Sequence, residues 1–559
     1  MASGSLAAAA AAVVGLLLAS CTRSDPSPDR GGAPIKVLTC TVQPGGGSAR
    51  LIVRGSDVRV EPDPDQPART LETKVFNQFP RSGTYHADLQ RRTPSNWLSV
   101  VKQPGPDNGF ELQVMVAGGP TSRPVTFDVY AVPTAEFENR FNVVVITIDT
   151  LRPDRLGCYG HSRLTSPNLD RFAEQSVRFT NAFSTSSFTP PAHASLFTSK
   201  YPGDHGLLGW NRLPDDQVTL AEVLKGCGFV TAASVNLDLL TEQNLGQGFD
   251  WQGEGRRDGR LVVADGIRFI HAPADSPKFV WLHFYDVHRP YGGPPDSVRR
   301  FNPGGRDGVG DDEPHYNLRP LDNPEHGYSL KASGLDEADL EFITDRYDAG
   351  IAYVDALLGP VFEALSTPQR QQDTMVVVTS DHGENLREHP EFLFSHDPYL
   401  HSVVTHIPLL IRYPGARGGG STTNALVSLI DVAPTVLEVI GAHVPSEFNE
   451  GRSLMPLLKS DTDWPRQEIF MESWSWKMQK AVRSAGHLAI LEVSNAETQF
   501  FALANDPLEH RPALQPGSGP GARLQELLKA FSRRPGANAA MPELDEQTKE
   551  KLRSLGYTQ

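Results

Sequence analysis

A chain of 559 residues with a net charge of −15 is too long for one small core and calls for two or three structural units. The acidic balance, with no long basic run, argues against a nucleic-acid-binding surface but leaves room for a local cationic pocket that takes a small anion.

The chain opens on a targeting segment. Leu6–Leu18 is apolar and alanine-rich, too short to span a bilayer comfortably, and runs into Leu18, Ala19, Ser20 and Cys21 before a polar stretch. This resembles a bacterial lipobox, which implies cleavage before Cys21, lipidation of its thiol and a membrane tether on the cell envelope. Met1–Leu6 lacks the usual basic residues, and an ordinary secretion signal delivering a periplasmic or extracellular protein is the alternative. With Cys21 set aside, Cys40, Cys158 and Cys227 leave an odd number, so at most one disulfide forms. Cys158 reads as packed rather than reactive.

Residues 22–34 form a Pro, Ser and Asp spacer. Over 35–138, short β-favouring runs (Arg50–Val53, Phe110–Val116, Val125–Val132) alternate with turn residues, predicting a β-rich N-terminal domain. From Asn142 the texture changes. Val143–Ile148, Val280–Tyr285 and Met375–Thr379 suit buried parallel strands, and Leu169–Val177 and Leu220–Gly226 carry helical periodicity. The expected fold class is α/β, a doubly wound, mostly parallel sheet over residues 139–460. Residues 461–559 form a small C-terminal subdomain and a charged helical tail ending near Tyr557.

Three separated segments read as one site: NVVVITIDTLRPDRLGCYG (Asn142–Gly160), TPPAHASLFTSKYPGDHG (Thr189–Gly206) and TSDHGE (Thr379–Glu384). Apolar runs that end in carboxylates or polar turns are where a parallel sheet places its chemistry. Asp149 ends the first run and is the best metal-ligand candidate, with Asp381 and His382 supplying a further oxygen and an imidazole. A strand-end Asp is otherwise a turn former or helix cap. Thr189, before two prolines and a helical run, has the alternatives of an N-cap hydroxyl or a nucleophile activated by a neighbouring metal or base.

The order and wording of these segments resemble the sulfatase family of the alkaline phosphatase superfamily, over Asn142 to the C-terminus. The C-terminal TQFFALANDPLE (Thr498–Glu509) resembles the strand and turn of the small sheet that sulfatases pack against their core. Family sulfatases convert a Cys or Ser of a CxPxR-like motif to formylglycine, whose geminal hydroxyl attacks sulfur. The resemblance puts Thr189 at that position and His193 in place of the arginine. Threonine cannot become formylglycine. Thr-dependent relatives, such as nucleotide pyrophosphatases, phosphodiesterases and phosphoglycerol transferases, instead form a phosphothreonine-type intermediate.

By the same resemblance the metal ligands are Asp149, Thr189, Asp381 and His382. Thr150 stands where a second Asp is common, and this donor set favours Mn or Zn over Mg or Ca, as one ion or two. His288 in LHFYDVHRPY and His396 in FLFSHDPYLHS resemble the family's two substrate-side histidines. They would bind nonbridging oxygens and protonate the leaving group around one metal, or become ligands of a second ion, with Asp286 as a further candidate. Arg152 would face the anion, Asp154 reads equally as a structural ion-pair partner, His193 would contact substrate, and Lys200 is either a cationic substrate contact or a solvated helix-end residue. His205 is a weaker candidate. His389, His401 and His406 read as structural, with His401 in reserve for a second metal. Ser366–Arg370 matches SxPxR literally but lies in the wrong connection.

The implied function is metal-dependent hydrolysis or transfer of a small anionic ester through Thr189, phosphodiester or phosphomonoester favoured, with a glycan or lipid as candidate alcohol. The alternatives are a sulfuric ester hydrolase without formylglycine and a noncatalytic surface-binding protein. Retention of the candidate ligands together speaks against the last.

Overall fold

The computed structural model describes eight N-terminal strands and residues 141–536, apart from gaps at 238–239, 254–257, 273–275, 304–335, 417, 443, 460–463, 476, 518 and 535. The expected lipobox and spacer, most of the insertion around Gly292–Leu335 and the end of the tail lie outside the described residues.

The N-terminal strands are β1 (Ile35–Val42), β2 (Gly47–Arg54), β3 (Asp57–Pro62), β4 (Leu71–Val75), β5 (Tyr85–Arg91), β6 (Leu98–Pro104), β7 (Phe110–Val116) and β8 (Val125–Pro133). They pair antiparallel in two four-stranded sheets, β4-β1-β8-β5 and β3-β2-β7-β6. The three β runs expected from sequence fall in β2, β7 and β8.

The next strands are β9 (Asn142–Ile148), β10 (Val177–Phe183), β11 (Val230–Val235), β12 (Trp251–Gln252), β13 (Lys278–Phe284), β14 (Thr374–Thr379), β15 (His406–Arg412) and β16 (Thr422–Ser428). They form one sheet in the order β12-β11-β13-β9-β14-β15-β10-β16. Every pairing is parallel except those of β15 with β14 and β10.

Because strand side chains alternate, β9 feeds two cores. Val143 and Val145 join Phe279, Trp281, Met375 and Val377 under the helices Thr189–Thr198, Leu220–Gly226 and Val432–Val439. Val144, Ile146 and Ile148 join Leu282, Phe284, Val376 and Val378 under Pro167–Ala173, Gly259–His271 and the long helix Glu337–Leu365. Burial on both faces explains why these strands read as unbroken apolar runs.

The last four strands, β17 (Glu468–Ser473), β18 (Gln479–Ser484), β19 (His487–Glu492) and β20 (Glu497–Ala502), make an antiparallel meander in sequence order. The helix Gly519–Phe531 covers it through Leu524 and Leu528 against Val482, Ala489 and Phe500. No helix among the described residues is long and apolar enough to cross a membrane.

Candidate active site

The C-terminal ends of β9, β13 and β14 release Asp149, the Tyr285–His288 turn and the Ser380–His382 turn at one edge of the sheet. β10 ends beside them and leads into the helix that starts at Thr189. That helix carries no charge and all ten of its residues are buried. It is a core element whose first residue reaches the site.

Asp149, Asp381 and His382 are buried, with one ligand atom from each within 4.8 Å of the others. The Thr189 hydroxyl is 3.0 Å from His382 Nε2 and 3.4 Å from Asp149 Oδ2. The cap position belongs to Phe188, and Thr189 makes no capping bond. The N-cap alternative for its hydroxyl therefore falls. Pro190 and Pro191 lack N–H groups, so the helix start offers an anion fewer amides than an ordinary N-terminus.

Thr150 holds the two carboxylates in register. Its φ of 55° is costly for a β-branched residue. The Tyr347 hydroxyl donates to its carbonyl at 2.6 Å, and its own N–H donates to Asp381 Oδ1 at 3.3 Å.

The histidines carry a consistent tautomer pattern, because a carbonyl oxygen only accepts. His382 Nδ1 donates to Gly383 O at 3.0 Å, His396 Nδ1 to Ser187 O at 2.8 Å and His288 Nδ1 to Arg289 O at 2.6 Å. Each neutral ring then presents a bare Nε2. Those of His288 and His396 face each other at 3.2 Å, an arrangement that needs a proton or a cation between them.

The same logic reaches His283, which sequence reasoning missed. Thr147 Oγ1 accepts from Trp281 Nε1 at 2.9 Å and lies 3.1 Å from His193 Nε2 and 2.9 Å from His283 Nδ1. His193 Nδ1 donates to Thr189 O at 2.9 Å, so its Nε2 takes the single Thr147 proton. His283 Nδ1 must then donate to Thr147, and its Nε2 turns bare toward Asp149 Oδ2 at 3.7 Å. The available signal was a polar residue in an apolar strand, two positions from Trp281 and therefore on the same face.

Burial pushes the pKa of His193 down and holds those of His283 and His396 well below the usual value, and it takes His288 to about 3. Neutral rings with bare inward nitrogens suit lone-pair donation better than delivery of a proton. Desolvation, reinforced by the Asp381 and Glu384 carboxylates, raises Asp149 well above the usual range. Desolvation also takes Glu384 up to about 8.

A divalent metal fits this chemistry. Asp149 Oδ1, Asp381 Oδ2 and His283 Nε2 are buried with no hydrogen-bond partner, and buried carboxylates of like charge are tolerated only with a compensating cation or proton. Histidines that give their far N–H to a carbonyl or hydroxyl are the usual form of metal ligands.

Other expectations are corrected. Arg152 does not face the site. Its guanidinium pairs with Asp154 at 2.7 and 2.9 Å and with Glu388 at 2.9 Å, and donates to Glu384 O. Asp154 is its ion-pair partner. Lys200 follows the far end of a ten-residue helix, about 15 Å along its axis from Thr189, and donates to Gln217 at 2.7 Å. This is the helix-end position of its two alternatives. His193 lies against Asp381 Oδ2 at 3.7 Å, on the carboxylate side of the site. Asp286 accepts from Asn236 at 2.6 Å. His205 Nε2 lies 3.2 Å from Pro191 O, a structural place, and His401 packs against His389 with ring centroids 4.2 Å apart, in a cluster separate from Asp149, Asp381 and His382.

Residues 141–442 match the family described as Sulfatase, more than half of the chain. The chain belongs to the sulfatase family. Residues 391–510 match the family N-sulphoglucosamine sulphohydrolase, C-terminal. Sulfatase-family relatives include the N-acetylglucosamine-6-O-sulfatase of Bacteroides thetaiotaomicron, 24% identical over 63% of this chain and 77% of the relative. The multifunctional alkaline phosphatase superfamily protein PehA of Trinickia caryophylli is 26% identical over 60% of this chain and 80% of its own. The phosphonate monoester hydrolase of Agrobacterium radiobacter shares the fold with a TM-score of 0.58 at 21% identity, covering 73% of this chain and 99% of that one. This sulfatase-family hydrolase therefore has the fold expected from its motifs, small C-terminal sheet included.

Proposed function

We propose that the chain is a divalent-metal-dependent hydrolase or transferase of small anionic esters, with phosphodiesters and phosphomonoesters preferred, and that Thr189 is its nucleophile. The observation that carries this reading is the Thr189 hydroxyl, buried 3.0 Å from His382 Nε2 and 3.4 Å from Asp149. A divalent ion held by Asp149, Asp381 and His382 would acidify that hydroxyl and offset charge on the ester's nonbridging oxygens.

In the first half-reaction the Thr189 Oγ–phosphorus bond forms and the bond from phosphorus to the alcohol breaks, the alcohol leaving with the proton that the Thr189 hydroxyl gives up. Water or an acceptor alcohol then attacks phosphorus and restores the threonine. Threonine has a single hydroxyl, so a covalent ester on it is released only by such an attack, unlike an ester on the gem-diol of formylglycine. His283, His288 and His396 line the pocket as neutral donors of lone pairs.

Sulfate-ester hydrolysis in the same pocket is the second reading, favoured by the family match and by the sulfatase among the relatives. The lipobox-like leader supports placement on the bacterial envelope, tethered through Cys21 or released outside the cytoplasmic membrane.

The test is turnover of a bis-aryl phosphate, an aryl phosphate and an aryl sulfate by metal-stripped protein resupplied with Mn, Zn, Mg or Ca, beside Thr189→Ala. Metal-dependent phosphoester turnover that falls roughly a thousandfold or more in the variant is the expected result. Sulfate turnover that survives the substitution would displace Thr189 from its role.

A further inference from the structure

A second cluster of metal-type donors stands apart from the Asp149 site, where the turn Pro390–Phe392 and the segment leading to β15 meet the residues after β20. One ligand atom from each of His389, Glu391 and His401 lies within 4.8 Å of the other two. His389 is 2% exposed. Its Nδ1 is 3.4 Å from Glu391 Oε1, and its Nε2 is buried with no hydrogen-bond partner. The His401 ring lies over it with centroids 4.2 Å apart.

His401 Nδ1 is 3.2 Å from Glu509 Oε2. A carboxylate accepts, so Nδ1 carries the proton and Nε2 is bare. Glu509, 3% exposed, is itself fixed by the Ser402 N–H at 2.8 Å, by the Ser402 hydroxyl and by Arg483 at 3.4 Å. A fixed carboxylate on the far nitrogen of a histidine is the arrangement that orients a ligand toward a metal. A buried imidazole such as His389 has no other visible reason to leave Nε2 unsatisfied. Glu391 is exposed, which gives an ion a way in.

We propose that His389, Glu391 and His401 bind one divalent transition ion of the zinc class, distinct from the ion of the Asp149 site. Two imidazoles and one carboxylate suit zinc, with a fourth position for water, and disfavour calcium and magnesium, which take oxygen donors. The ion ties together the two ends of the loop that carries His396. Through Glu509 it fixes that loop to the residues after β20. Glu388, the neighbour of His389, holds Arg152, so the clip also braces the turn after Asp149.

The test uses the full chain, stripped by a chelator and titrated with zinc against a chromophoric competitor. Wild type is compared with Asp381→Asn, His389→Ala/His401→Ala, the combination of all three substitutions, and Glu391→Gln. The histidine double variant is expected to lose one zinc equivalent that Asp381→Asn retains, and the combination to lose both. Glu391→Gln keeps both rings and should weaken that equivalent about tenfold or more. A full zinc count in a double variant that circular dichroism finds folded would overturn the proposal. So would unchanged affinity in Glu391→Gln, which decides the matter if the double variant does not fold.

Discussion

At the scale of single residues, the polarity of the pocket is set by groups that never touch an ester. Thr147 sits at the end of a relay in which Trp281 and His283 donate to its oxygen while its proton goes to His193. Replacing it by valine keeps the shape and removes the hydroxyl that fixes the tautomer of His283 and satisfies His193 Nε2. Thr147→Val should weaken metal binding by about 10- to 100-fold, measured by competition with a chelator, while the fold, read by circular dichroism, stays intact. Unchanged affinity would mean that His283 and His193 do not act on the metal side of the pocket.

Among the elements, the turn after β9 depends on a buried clamp. Burial alone would raise Asp154 and Glu388, but the Arg152 guanidinium outweighs it and holds each at about 2. Both carboxyls are depressed below their unfolded values, so the stability they contribute is present above the ordinary carboxyl range and lost as pH falls toward 2. Arg152→Met leaves Glu388 without its cation and should destabilise the protein by on the order of 3 kcal/mol at pH 7. Asp154 is half solvated and adds little to that figure. In urea unfolding, the gap between wild type and variant should shrink between about pH 4 and pH 2. A gap independent of pH would assign the loss to packing of the arginine stem instead.

For the whole molecule, the pocket brings together strand ends far apart in the chain, with several carboxylates and imidazoles in a dry interior. Metal removal should therefore lower the Tm, and zinc or manganese should restore it in proportion to the logarithm of free metal. A scanning calorimeter reads this directly, and a Tm indifferent to chelation would oppose the metal assignment. Much of this arrangement was legible in the sequence. β9, β13 and β14 are buried on both faces and so print themselves as apolar runs, and Asp149, Asp381 and His382 follow such runs directly. What escaped was set by contacts across the fold. Arg152 looks like an anion contact until Glu388, far along the chain, turns out to hold it. Lys200 shares a motif with Thr189, yet a helix carries it to the opposite end. His283 is hidden inside a strand, and only the Thr147 relay gives it a direction.

The central claim is that Thr189 carries the covalent intermediate. The most direct measurement is acid quench of the metal-loaded enzyme during turnover of a bis-aryl phosphate, followed by peptide mass spectrometry. The expected result is a phosphoryl-ester adduct on Thr189 that is absent from Thr189→Ala and disappears when substrate is exhausted. Full turnover with an unmodified Thr189 peptide at every quench time, or an adduct on another residue, would contradict it.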